Sequence, residues 1–215
     1  MTWNRWTTVS EGRAGPGTSV TAVPIEDEDS DRFALFLADP GGGVFTASQN
    51  AQLRWSIWSP VPGRRAGPGA SVTVVPFHRN RFALFLVDPG GRIFTASGNA
   101  KVGWTQWSSV AGRRAGLGTS IAAARIGGDR FALFLTDPGG EVFTTSGSAR
   151  RGWAPWTTVS EGRAGPGTSV TAVPIEDEDS DRFALFLADP GGGVFTASGN
   201  STIPVRKRQP AAAKR

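Results

Sequence analysis

Residues Trp6 to Ser48 recur without a single change as Trp156 to Ser198, and two looser copies lie between them. The chain is therefore a tandem array of four units of about 50 residues. The units open at Trp3, Trp55, Trp104 and Trp153, each with a Trp-x-x-Trp step, and these steps hold all eight tryptophans of the chain. A unit of this size cannot bury its own apolar surface and must lean on its neighbours, so the 215 residues are read as one cooperative body over residues 1–200 with a tail over 201–215.

The second unit shows what each one contains. Trp55 to Val61 is short and aromatic and ends in the glycine-rich turn Gly63 to Gly69, which reads as a strand and a loop. Ala70 to Pro76 carries Val72, Val74 and Val75, which suit a pleated surface, and Pro76 ends it because it has no N–H for a ladder. Arg81 to Val87 is apolar on both alternating faces, a pattern that demands cover on both sides, and it is expected to be the most buried strand. Asp88-Pro89-Gly90-Gly91 suits a type II turn, with Pro second and a positive-φ Gly third. Ile93 to Ser97 then runs back as the fourth strand.

With 29 glycines, 15 prolines and no sustained 3.6-residue stripe, helix has no place, and the fold class is all-β. Four short strands per unit, one of them sheathed on both faces, are the makings of a β-propeller of four four-stranded blades. The chain opens with a Trp strand and has no Trp pair after Val194 to Ser198. Closure of the ring is thus expected from Trp3 to Val9 annealing beside that final segment, leaving no open sheet edge. Two chains merging into a larger ring, or a piece of a longer array, are the alternatives.

The formal charge of +5 is local. Arg206, Lys207, Arg208, Lys214 and Arg215 lie in the tail, and the other 18 basic residues balance 18 acidic ones. A neutral body carries no phosphate-tracking stripe, so nucleic-acid binding by the folded part is not expected. The Pro-, Ala- and base-rich tail reads as a disordered, solubilising end. No disulfide is possible without cysteine, no run is apolar enough for a membrane span, and no secretion signal is evident. Residence in the cytoplasm or release without a signal peptide is the corresponding expectation.

Gly103-Trp-x-x-Trp-Ser-x-Val110, followed by Asp129-Arg-Phe-Ala-Leu-Phe-Leu-x-Asp-Pro-Gly-Gly-x-Val-Phe-Thr144, resembles the blade repeat of bacterial and fungal β-propeller lectins, several of which bind fucose. The resemblance spans all four units, roughly residues 3 to 200, although members of that group mostly have six or seven blades. It implies a multivalent carbohydrate-binding protein for fucose or related sugars, with glycans or glycoconjugates as partners.

Candidate sugar-binding residues recur once per unit. Three positions along a strand point the two rings of a pair to opposite faces, and Trp3, Trp55, Trp104 and Trp153, the first of each pair, are expected to be the partly exposed set, because the second is followed by a more uniform Thr/Ser-x-Val run. An exposed indole offers a flat ring and an N–H donor to a sugar; packing between blades is the alternative for all eight. Arg32, Arg81, Arg130 and Arg182 precede the buried strand, and Arg13, Arg65, Arg114 and Arg163 sit in the glycine-rich turn. Either set can donate in-plane hydrogen bonds to hydroxyls, or form surface pairs and ring stacks. Asp39, Asp88, Asp137 and Asp189 open the hairpin turns and are expected to bond the turn backbone.

The acidic run Glu26 to Asp31, repeated at Glu176 to Asp181, has a D-x-D-x-D spacing but Arg32 where a calcium loop needs glycine, so no metal is assigned. Gly12 to Ser19 lacks the lysine and following helix of a phosphate loop. With His78 as the only histidine, and no tyrosine or cysteine, no nucleophile, base and acid can be named together. Neither a cofactor nor catalysis is expected. A non-catalytic protein-interaction scaffold, or an engineered or duplicated repeat assembly without sugar binding, is the alternative reading.

Overall fold

The structure is a computed structural model and describes residues 8–9, 12–25, 32–77, 80–165, 167–175 and 182–200. All strand pairing among them is antiparallel, and the strands fall into four separate sheets. Sheet one holds β1 (Thr21–Ile25), β2 (Arg32–Ala38), β3 (Gly43–Ser48) and β4 (Ser59–Arg65). Sheet two holds β5 (Thr73–Phe77), β6 (Arg81–Val87) and β7 (Ile93–Asn99), with β8 (Gly103–Trp104) and β9 (Ser108–Val110) both on the free side of β7. Sheet three repeats this with β10 (Ala122–Gly127), β11 (Arg130–Thr136), β12 (Glu141–Ser148), β13 (Gly152–Trp153) and β14 (Thr157–Arg163). Sheet four has β15 (Thr171–Ile175), β16 (Arg182–Ala188) and β17 (Val194–Asn200). These are the four blades of an all-β propeller, and each is offset from the sequence repeat, because the Trp segment of one unit completes the sheet of the unit before it.

The Trp-x-x-Trp step is not the continuous strand expected. Trp104 stands opposite Gly98 and Ser108 opposite Thr95, so three residues on the outer strand face two on β7. One extra residue in a ladder is a β-bulge, which breaks the period of two and re-aims the second ring. The gap is bridged by a side chain: the Ser97 N–H donates to Thr105 Oγ1 at 3.0 Å, as the Ser48 N–H does to Ser56 Oγ at 3.1 Å.

The hairpin turn also differs from the type II form. Gly91 N–H closes the turn onto the Asp88 carbonyl at 2.9 Å, and positive φ falls at Gly91 (75°), the fourth position, not at Gly90. This is a three-residue hairpin with a left-handed glycine, whose twist matches that of the strands it joins. A side chain is excluded there twice over, since a Cβ on Gly91 would stand 2.7 Å from the Ala115 carbonyl oxygen.

Blades pack face to face through three apolar cores, one per junction. Val23, Phe36 and Val44 of blade one meet Val72, Phe82 and Leu84 of blade two, and corresponding sets join blades two to three and three to four. At each junction the second phenylalanine of one buried strand meets the first of the next edge-on: Phe36–Phe82 at 5.4 Å, Phe85–Phe131 at 5.5 Å and Phe134–Phe183 at 5.6 Å. The expectation for the third strand holds in the middle blades, where all of β6 after Arg81 is buried. The innermost strands β1, β5, β10 and β15 neighbour one another in sequence order. A serine ladder precedes them: the N–H of Ser19, Ser71 and Ser120 each donates at 2.8 Å to the hydroxyl of the next, ending on Ser169.

The end blades differ from the middle ones. Phe36 is 1% exposed and its identical counterpart Phe186 is 40% exposed; Val44 is 2% and Val194 is 78%. Conversely Phe183 is 3% exposed where Phe33 is 43%. Each end of the array thus presents an uncovered blade face. The segment expected to close the ring, Trp3 to Val9, lies mostly outside the described residues. Of it, Thr8 and Val9 belong to no strand, and the Val9 carbonyl accepts the Trp58 indole N–H at 2.9 Å, beside blade one. The tail over 201–215 and both acidic runs also lie outside the described residues.

Candidate functional site

Two of the arginines that precede a buried strand, Arg32 and Arg81, line the mouth of a blade junction. Between blades two and three, Arg81, Thr95 and Ser97 face Asp129, Phe131 and Ser148–Arg151 of the next blade across a cleft of about 320 Å³. Between blades one and two, a smaller cleft of about 60 Å³ repeats the plan, with Arg32, Thr46 and Ser48 facing Asn80, Phe82 and Asn99–Lys101. The same positions of successive repeats therefore build the same cleft, one wall from each blade. Hydroxyls, a guanidinium and an amide or carboxylate converge on the edge of a phenylalanine ring, which is the mixed apolar and hydrogen-bonding lining of a small-ligand site.

The electrostatics favour a neutral, hydroxyl-rich ligand or an anion over a cation, since Arg81, Arg150 and Arg151 outnumber Asp129 at the larger cleft. Arg81 lies with its guanidinium carbon 5.6 Å from the centre of the Phe77 ring, which fixes its direction. Its Nε is buried and has no acceptor among the described residues, and Nη2 of Arg130 at the corresponding place is in the same condition. A buried donor without a partner is costly, and is the kind of group a ligand or water completes.

The turn arginines have a different occupation. Arg65, Arg114 and Arg163 each donate to the carbonyl of the glycine after the Asp-Pro step, on Gly41, Gly90 and Gly139. They lock the hairpin of one strand to its outer neighbour. The turn aspartates bond the turn backbone as expected, Asp39 from Gly43 N–H at 2.7 Å and Asp137 from Gly139 N–H at 2.8 Å.

The tryptophans divide by what their N–H groups do. Trp58, Trp107 and Trp156 donate to Val9, Pro62 and Ala111 carbonyls, the last two tying an outer strand to that of the preceding blade. Trp55, Trp104 and Trp153 are partly exposed, as the second set also is, but no protein acceptor pairs with their indole N–H among the described residues. Trp104 stands edge-on to Phe36 and Trp153 to Phe85, with the cleft-lining loops immediately before them in sequence. Trp3 lies outside the described residues. Arg32 and Arg81 thus reach the clefts, Trp55, Trp104 and Trp153 do not line them, and Arg182 is exposed on blade four.

The lining from the following repeat, Asn80 or Asp129, Phe82 or Phe131, and the loop after the fourth strand, was not singled out from the sequence. The signal existed as a polar residue just before each arginine, but pairing it with the arginine of the previous repeat requires knowing the blade junction. A separate apolar cavity of about 470 Å³ lies between Val159, Gly162 and Phe195. It opens where blades two and three instead have Arg64 over Phe94 and Arg113 over Phe143. Among the described residues, no three His, Cys, Asp or Glu side chains come together to hold a metal, and no helix is long and apolar enough to cross a membrane.

No family model and no curated protein sequence matches the chain. Solved structures do match it in fold. The BP39L lectin from Burkholderia pseudomallei superposes with a TM-score of 0.75 at 19% identity over 94% of this chain and 58% of its own. AofleA from Arthrobotrys oligospora gives 0.66 at 13% identity over 90% and 57%. The six-bladed β-propeller lectin of Aleuria aurantia, described with a fucose recognition mode, gives 0.62 at 10% identity over 90% and 65%. The chain spans about three fifths of the length of these lectins.

Proposed function

We propose that the chain is a multivalent carbohydrate-binding protein whose sites are the clefts between blades, with fucose or a related deoxy sugar as ligand. The observation that carries this reading is the buried, unpartnered Nε of Arg81 at the mouth of a cleft that the neighbouring repeat reproduces. Arg81 and its counterparts Arg32, Arg130 and Arg182 supply in-plane donors to ring hydroxyls, Thr95 and Ser97 supply hydroxyls, and the Phe131 ring offers an apolar wall to the methyl or C–H face of the sugar. Trp55, Trp104 and Trp153, and by repeat identity Trp3, enter the same proposal through their indole N–H groups and half-exposed edges. The fold shared with fucose-recognising lectins supports the sugar class. Binding, with no bond made or broken, is all the cleft chemistry supplies.

Single shallow clefts of this kind bind near millimolar, about −4 kcal/mol each. Several on one rigid body gain avidity on a glycan-coated surface without any new contact. The test is titration of the folded protein with alpha-methyl fucoside, alongside Arg81→Ala and Trp153→Ala. Saturable binding is expected, and Arg81→Ala is expected to weaken the site between blades two and three alone by about tenfold or more, read as one site fewer in the stoichiometry, the loss of one charge-assisted hydrogen bond being worth about 1.5–3 kcal/mol. Absence of binding to the fucoside and to a broad glycan array sinks the proposal. Capture of one stoichiometric protein partner, insensitive to added sugar, would instead favour an interaction scaffold.

A further inference from the structure

Copies one and four are identical in sequence from Trp6 to Ser48 and from Trp156 to Ser198, yet opposite faces of the two are uncovered. Blade one therefore displays, already covered, the face that blade four leaves open, and blade four displays, already covered, the face that blade one leaves open. From this we infer that the chain associates head to tail with a second copy of itself, the open face of blade four packing on the open face of blade one.

Each half of the missing junction can be read off the three that exist. Phe186 corresponds to Phe36, Phe85 and Phe134, and Phe33 to Phe82, Phe131 and Phe183, so Phe186 of one copy meets Phe33 of the next edge-on. Val173 and Val194 take the covered positions of Val23 and Val44. The serine ladder ends on Ser169, whose own N–H finds no acceptor among the described residues, and it begins at Ser19, whose hydroxyl receives no N–H there. In the pair of chains the Ser169 N–H donates to the Ser19 hydroxyl of the other copy. Thr171, like Thr21 and Thr73, donates its hydroxyl to the carbonyl across the junction, here that of Val20. Beside blade one, the Val9 carbonyl is held by Trp58 where the outer strand of a preceding blade lies, and Thr158, the counterpart of Thr8, is paired opposite Phe143. Phe195, the counterpart of Phe143, is the open position for Thr8 of the other copy.

The arrangement of the innermost strands favours a second copy over closure onto the chain's own end. β1 neighbours β5, β5 neighbours β10 and β10 neighbours β15, whereas β15 and β1 are not neighbours of that kind. A two-fold ring of eight blades leaves no sheet edge open. It also completes a cleft at each new junction, with Arg182 of one copy facing Phe33 and Asn50 of the other. The inference does not depend on what the clefts bind.

Sedimentation equilibrium of the sugar-free chain at tens of micromolar tests it. The expected mass is twice the chain's 22.6 kDa, falling to the single-chain mass in Phe186→Asp and, separately, in Phe33→Asp, both of which alter residues exposed in one chain and leave its three cores intact. A single-chain mass for the parent protein, or a dimer indifferent to both variants, overturns the inference. The chain has no cysteine, so the double variant Ser19→Cys with Ser169→Cys gives a second reading under oxidation. A covalent dimer on a denaturing gel supports the pairing, and a compacted, internally linked monomer overturns it in favour of self-closure.

Discussion

Asp88 shows how a single residue of the repeat is constrained. Its Oδ1 accepts the N–H groups of Gly90 at 2.8 Å and Arg92 at 2.9 Å, and its Oδ2 accepts Arg92 Nε at 3.0 Å. Burial pushes the carboxyl up, but the Arg92 and Gly90 backbone donors, then the Arg92 side chain and its charge, together outweigh it and hold the group below the usual aspartate value of 3.8. A carboxyl depressed on folding contributes stability that is present above its unfolded value and lost as pH falls through the folded one. The Asp88→Asn variant keeps an acceptor for the two backbone donors and loses the charge. It is expected to be about 1 kcal/mol less stable at pH 7 and to lose less stability than the parent between pH 5 and pH 2, read by urea unfolding across that range. The role of Asp88 was legible from Asp-Pro-Gly-Gly alone, because a short acceptor ahead of a Pro-Gly turn has few other uses. The choice between Gly90 and Gly91 for positive φ was not, since both permit it and the twist of the strands they join decides.

The outer strand is the element in which sequence and structure part most. Alternation predicts that residues three apart face opposite ways, and one bulged residue between Trp104 and Ser108 cancels that rule. An extra residue carries no compositional mark of its own, so the bulge could not be read from Thr105-Gln106. It leaves Trp107 and Trp156 as ties between neighbouring blades, and Trp55, Trp104 and Trp153 with no indole acceptor among the described residues. Trp107→Phe removes the bond to the Pro62 carbonyl while keeping most of the ring. A loss of about 1 kcal/mol is expected, together with faster amide exchange along β9, measured by hydrogen–deuterium exchange. By contrast the buried strand was legible in the middle blades, because an apolar run on both faces calls for a sheet covered on each side.

For the molecule as a whole, the period of about 50 residues and the four strands within it led directly to blades stacked face to face, and three apolar cores with a shared phenylalanine pair at each are the result. How far the array curves was beyond the sequence, because it is set by the angle at each junction and not by any one residue pattern. The clefts belong to the same scale: neither wall is a site without the next blade, which explains why the repeated arginines were visible in advance and their facing residues were not. Junctions thus unite the fold, the candidate sites and the pairing of chains. A crystal structure of the protein grown with alpha-methyl fucoside tests that claim most directly. The expected result is sugar in the cleft between Arg81 and Phe131, repeated at the junctions related to it; sugar bound away from every junction, or blades whose faces do not meet there, would contradict it.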